Sequence, residues 1–311
     1  MKKIKGKMQQ LYAININYGC YLALLEGISA VLGQRSRLGK YFFYRKHEAA
    51  KQYLCKKYKA IIDKYREEEY CESVVDFNRI WFFWWQGEQS MPEVVKLCYQ
   101  SLHNYYDQSN IFLITQENVH NYIDIPDSIL KKVNNRNFTL TIFSDYIRLS
   151  LLSKYGGIWL DSTILLTNAL NEDDNAYFFS INYGNPAMAY HVCMGKWMTS
   201  LIGVGKNTGI EFCQELFEVY FLTESTHLTY LLLDCVLALA YEIFPSFKES
   251  IDRVKIENTQ VGRLDQLLKG SSDRELSTIL EEQSIHKLSY KSIYNKRNYE
   301  YLKRIVERSN E

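Results

Sequence analysis

Proline is scarce, with four residues in 311, beside fifteen glycines. That excludes a collagen-like chain or a proline-rich linker array. Long apolar runs are missing too. The stretch 11–32 is interrupted by Asn15, Asn17 and Glu26, and 228–241 carries Asp234 at its centre and falls short of the ~18 residues a membrane span needs. No transmembrane helix is therefore expected. The basic opening MKKIKGKMQQ leads into no uninterrupted apolar segment with a small-residue cleavage site, so it does not read as a signal peptide. Seven cysteines are scattered without a CxxC pair, which fits neither a disulfide framework nor a zinc knuckle. Reduced thiols in a cytoplasmic protein are the simplest expectation. The histidines form no HExxH or similar cluster. A formal charge of +1 gives no bulk attraction for nucleic acid, and none is expected as a partner.

What is present is ordinary globular composition, 47% hydrophobic and 23% charged, in a chain long enough for two packed units at about 150 residues each. The organisation reads as an amino-terminal helical segment over 1–75, an α/β unit over 76–205 and a helical region over 206–311. Between 33 and 70, apolar residues at helical spacing (Tyr53, Leu54, Tyr58, Ile61, Ile62, Tyr65) predict one long helix. Its basic residues Arg35, Arg37, Lys40, Arg45 and Lys46 form either a solvated face or a surface for anionic lipid head groups.

From Asn78 the character changes. RIWFFWW suits a buried strand, and alternation along it would turn Trp84 and Trp85 to opposite faces. Pro92 and Glu93 open a helix, and NIFLIT at 110–115 reads as the next strand. Strand, helix, strand implies a parallel sheet with crossover helices. Next, TLTIFSDYIRLSLLSKYGGIWLDSTILLTNAL sets Asp145 and Arg148 one turn apart on an amphipathic helix that stops at Gly156 and Gly157. The strand IWL then delivers Asp161, Ser162 and Thr163 at its carboxyl end, the edge where open α/β sheets bind ligands. After Leu170 the stretches 171–186 and 195–209 read as loops, 210–245 as two helices and 259–285 as another.

Each residue has two readings on its own. Asp161 caps a turn, or it serves a hard cation whose remaining ligands are phosphate oxygens and water. Asp145 and Arg148 make a surface ion pair, or both face a cleft and hold hydroxyl and phosphate oxygens. Asp234, isolated in an apolar helix, must find a hydrogen bond or a polar site if buried.

Together these residues carry a resemblance. SDYIRLSLLSKYGGIWLDST is similar to the S-D-x-x-R-x-x-x-L-x-x-x-G-G-x-x-x-D-x-D pattern of sugar transferases with the GT-A fold, including yeast mannosyltransferases and the large clostridial glucosylating toxins. With WWQGE and KYGGIWLDST it resembles bacterial capsular polysaccharide synthesis proteins more closely, over roughly 76–170 and more loosely to Lys291. The resemblance implies a GT-A-like α/β nucleotide-sugar domain. It also implies transfer of a sugar, with retention, from a nucleoside diphosphate sugar to a saccharide acceptor, lipid-linked or free. Trp84 would stack on the nucleotide base, Asp145 and Arg148 would hold the donor sugar, and Asp161 would lie near ribose and a Mn- or Mg-bound diphosphate. Thr163 replaces the last aspartate of D-x-D, so the metal set reduces to Asp161 and Thr163. Asp234 is a candidate acceptor-side residue or general base. His286, Lys287, Ser289, Tyr290 and Lys291 resemble an element over the donor diphosphate, with Lys287 and Lys291 offsetting its charge. The implied placement is cytoplasmic or at the inner face of the plasma membrane. Alternative readings are an effector or toxin-like glycosyltransferase acting on a protein, and a non-catalytic nucleotide-sugar-binding partner in an assembly complex.

Overall fold

The computed structural model describes residues 2–270 and 273–308. The side chains of the basic opening, residues 1–5, lie outside the described ones. Four helices come first: α1 (Lys2–Tyr18), α2 (Cys20–Leu32), α3 (Arg37–Lys57) and α4 (Lys59–Glu67). Gly19 at φ 94° and Gly33 at φ 61° separate the first three, since positive φ ends a helix and glycine adopts it at no steric cost. Ser36 then caps α3 by accepting from the Gly39 amide at 3.0 Å. The single long helix expected over 33–70 is instead two. Tyr58 leaves helical geometry between α3 and α4, its hydroxyl bound to the buried Glu224 at 3.0 Å and to Thr223 at 3.0 Å. Glu224 also holds Tyr53 and Lys57, so a buried carboxylate far along the chain fixes the break.

The α/β unit follows as β1 (Ile80–Phe83), α5 (Glu93–His103), β2 (Ile111–Ile114), α6 (Asp127–Asn134), α7 (Leu140–Tyr155) and β3 (Gly157–Leu160). Strand β1 pairs in parallel with β2 on one side and β3 on the other, as the strand, helix, strand pattern predicts. All four β1 residues are buried, Trp81 and Phe83 on one face and Ile80 and Phe82 on the other, which is why the strand reads as an unbroken apolar run. Strand β4 (Ile164–Leu166) lies outside this ladder, which is instead extended by two strands inside the stretches expected as loops, β5 (Phe178–Ser180) and β6 (Leu201–Val204). Strand β6 lies antiparallel to β3 and β5 antiparallel to β6, giving the order β2-β1-β3-β6-β5. These strands are only three or four residues long, too short for a clear alternation.

Helices α8 (Thr208–Thr223) and α9 (Leu232–Ile243) are the two expected over 210–245, and they join α7 in a core that covers one face of the sheet. Helices α3 and α4 pack on their outer side. Beyond α10 (Pro245–Asp252), the helix expected over 259–285 is two short ones, α11 (Arg263–Leu267) and α12 (Asp273–Glu282). After them comes β7 (Ile285–Lys287), antiparallel to β4 with Ile164 opposite Lys287, and α13 (Lys296–Arg308) follows. No helix among the described residues is long and apolar enough to cross a membrane.

The turn between α7 and β3 brings the chain close against the residue that precedes β1. Gly157 sits at φ 92°, and a β-carbon there would stand 2.5 Å from the Arg79 carbonyl oxygen. Replacing Gly157 by Ala should therefore cost about 1–3 kcal/mol in backbone strain, read as a lower urea midpoint with an unchanged slope. An unaltered midpoint would show that this turn tolerates a side chain.

Candidate functional site

The chain leaves β1 for β2 on one side of the sheet and returns to β3 on the other side of β1, so the strand order reverses between β1 and β3. Loops diverge there and leave a crevice at the carboxyl edge. Phe82 is paired with Leu160, so Trp84 and Asp161 leave their strands at that same edge. A cleft of about 330 Å³ opens between them, lined by Trp84, Trp85, Asp161, Thr163, Tyr230 and Lys291 among others. Both tryptophans face it, against the expectation that only one would. Strand β1 ends at Phe83, and in the turn that follows the two-residue alternation no longer applies. The Trp84 indole donates to Ser90 at 3.0 Å and meets Tyr290 edge-on at 5.7 Å, while Trp85 packs edge-on against Phe143.

Asp161 is the centre of the polar network. One carboxylate oxygen accepts from Arg148 Nη2 at 2.9 Å and from Trp159 Nε1 at 2.9 Å, and the other accepts from Lys287 Nζ at 2.8 Å. Burial alone would raise its pKa, but the positive charges of Lys287 and Arg148 outweigh that and hold it below the usual carboxylate range. Asp161 is therefore an anion at any physiological pH. Its amide donates to Ser200 O at 2.9 Å, where β6 arrives antiparallel to β3.

Arg148 and Asp145 lie behind the cleft wall. Arg148, 3% exposed, donates to the Thr199 carbonyl at 2.6 Å and pairs with Asp145 at 3.3 Å, while its guanidinium stacks over Trp159 at 4.9 Å. The sequence pattern put this couple one helical turn apart, and the fold turns both inward on α7. Thr139 caps α7, and its first turn, Leu140 and Thr141, with Ser144 one turn on, faces the cleft directly. Burial pushes Asp145 up to about 7, and nearby Asp161 and Asp234 push the same way against Arg148. Asp234 is also buried, and its pKa is raised to about 6 by that burial. It finds the hydrogen bond its position demanded, from Trp197 Nε1 at 3.0 Å.

The carboxyl-terminal element divides. Lys287 reaches Asp161 because β7 pairs with β4, which leaves the Asp161 turn directly. Lys291 lies at the cleft over the Tyr290 ring, 5.5 Å from its centroid. His286 is fully buried, 3.1 Å from Thr167, and burial lowers its pKa to about 4, so it carries no charge to offset a phosphate. The Ser289 amide donates to Tyr294 Oη instead of to the cleft.

The implied Mn or Mg has a poor donor set here. Both oxygens of Asp161 are taken by cationic or indole donors, Thr163 offers a neutral hydroxyl, and no cluster of three His, Cys, Asp or Glu among the described residues could hold a metal. A cation on Asp161 would first have to displace the Lys287 ammonium. These residues do not fit a resident divalent ion, and Lys287 supplies positive charge in its place.

Sequence reasoning missed Tyr230, Trp159 and the carbonyl of Thr199. Tyr230 is 67% exposed at the cleft. Only Trp159 carried a signal, its place two residues before Asp161: β3 ends at Leu160, and the Trp159 indole reaches the carboxylate just beyond it.

A family model described as capsular polysaccharide synthesis protein matches residues 34–305. Among solved structures, the PaToxG glycosyltransferase is similar at 13% identity and TM-score 0.41, covering 88% of this chain and 97% of that one. None of the curated proteins matches.

The raised carboxyls predict a pH signature. A carboxyl with a folded pKa near 7 stabilises the fold fully below the unfolded value near 4 and loses that contribution as pH rises through 7. Asp145→Asn should flatten the decline in thermal midpoint between about pH 4 and 7. An Asn variant whose stability falls as steeply as the parent's would show that Asp145 titrates normally.

Proposed function

Because the chain belongs to the capsular polysaccharide synthesis protein family, we propose that it is a glycosyltransferase of GT-A-like fold. It transfers a sugar from a nucleoside diphosphate donor to a saccharide hydroxyl during surface polysaccharide assembly. The observation that carries this reading is the Asp161 carboxylate, clamped by Arg148, Trp159 and Lys287 at the point where the strand order reverses.

The chemistry follows from what each group can do. Trp84 and Tyr290 offer aromatic surface to a nucleotide base at one end of the cleft. Lys291, and Lys287 once it swings from Asp161, offset the charge of a diphosphate, with the amino-terminal turn of α7 adding its dipole. Asp161 stays ionised and accepts from ribose or sugar hydroxyls, which orients the donor. Asp145 and Arg148 keep Asp161 in place from behind. The bond from the anomeric carbon to the diphosphate oxygen breaks, a bond from that carbon to the acceptor oxygen forms, and the acceptor's proton passes to the departing diphosphate. Retention through such same-face departure needs no covalent nucleophile from the protein.

Purified protein offered a panel of nucleotide sugars, with water or a saccharide as acceptor, should release the nucleoside diphosphate from one of them in preference to the rest. Asp161→Asn should cut that rate by about 10²–10³ with the fold intact by circular dichroism, the range found for loss of one preorganised polar group. Lys287→Met should also slow it, and EDTA should leave it unchanged. No turnover with any nucleotide sugar, or an Asp161→Asn enzyme of normal rate, would overturn the assignment. A rate lost to EDTA and restored by Mn or Mg would show that a cation is required and overturn the reading that Lys287 takes its place.

A further inference from the structure

The positive charge of this chain is unevenly placed. Residues 1–47 contain nine Lys and Arg and one acidic residue, Glu26, a net +8 in a chain whose total is +1, so residues 48–311 carry −7. Glu26 is itself neutralised by Lys46 at 3.1 Å. Lys46 is thereby turned inward, and the outward charges are Arg35 and Arg37 at the α2–α3 connection, with Arg45 further along α3.

Apolar side chains stand exposed around those cations. On α2 these are Tyr21, Leu24 and Val31, the last 85% exposed; Leu38, Tyr41 and Tyr44 continue them on α3. They share a surface, because the Arg45 guanidinium binds both the Tyr41 hydroxyl at 3.2 Å and the Tyr21 hydroxyl at 3.1 Å across the two helices. Helix α1 adds Met8, Tyr12 and Ile16, spaced four apart on its outer side. Aliphatic residues, tyrosines and arginines interleaved on helices that do not span a bilayer are the composition of a surface that lies in the lipid head-group layer.

We infer that the outer face of α1–α3 docks on an anionic phospholipid bilayer, with the arginines on head-group phosphates and Leu24, Val31 and Leu38 entering the acyl boundary. A second copy is disfavoured as the occupant, since apposing two faces that each carry Arg35, Arg37 and Arg45 is repulsive. The docked face is also joined to the cleft. His47 Nε2 on α3 lies 3.4 Å from the Thr229 hydroxyl, and the next residue, Tyr230, lines the cleft wall. Tyr18 and Tyr220 hold the Thr226 carbonyl at the start of the same loop. Segment 226–230 thus spans from the helices to the cleft mouth, and docking would set that mouth beside the membrane.

Co-sedimentation of the full chain with vesicles tests this independently of any transfer activity. The protein should pellet with vesicles containing phosphatidylglycerol, release as salt is raised, and stay in solution with phosphatidylcholine alone. The double variant Arg35→Gln, Arg37→Gln should partition roughly thirty-fold more weakly, from the typical contribution of each basic residue near an anionic surface. Val31→Ser should weaken it as well, with helicity by circular dichroism and donor turnover in solution unchanged in both variants. Failure to pellet with the anionic vesicles, equal pelleting of parent and double variant, or a dimer in light scattering that Val31→Ser disrupts would overturn the proposal.

Discussion

The ion pair between Arg148 and Asp161 is the constraint on which the rest of the site depends. Arg148 is almost wholly buried and joins three elements at one point: its own helix α7, the end of β3 at Asp161, and the approach to β6 at Thr199. Without Asp161, the almost wholly buried Arg148 would keep only Asp145 and the Thr199 carbonyl as partners, and an incompletely paired buried charge is unfavourable. The fold therefore holds these elements in one arrangement, and the Asp161 carboxylate is set at the crevice before any ligand arrives. Trp159 completes the clamp from below, donating through its indole and stacking under the guanidinium.

Two carboxylates with opposite tendencies follow from that arrangement. Asp161 has two cationic neighbours and stays ionised, whereas Asp145 shares Arg148 with it and sits deeper, so desolvation prevails and its pKa rises. The same logic separates the basic residues of β7. Lys287 is used because its partner strand ends at Asp161, while neighbouring His286 points into the core and is kept neutral.

Much of this was legible in the chain. The run IWFFWW, the Pro92–Glu93 helix start and the Gly156–Gly157 stop each carry local chemistry strong enough to name an element, and the parallel β1, β2 and β3 follow from them. The position of Asp161 after a strand put it at the sheet edge where the cleft opens, whereas the Asp145–Arg148 couple lies behind that cleft. The short strands β5, β6 and β7 were not legible, because three or four residues leave no period to read. The break at Tyr58 was hidden for another reason: its cause, Glu224, is 166 residues away in sequence.

Local sequence determined which segments are helices and strands, where the glycine turns fall, and that cation-rich and anion-rich stretches are segregated along the chain. Only the tertiary structure decided that Asp145 and Arg148 act from beneath the cleft, that both tryptophans face it, and that Lys287 occupies the free oxygen of Asp161. Those outcomes depend on burial and on distances between residues far apart in the chain. Desolvation and Coulomb terms acquire their size from the surrounding packing, which no short window of sequence contains.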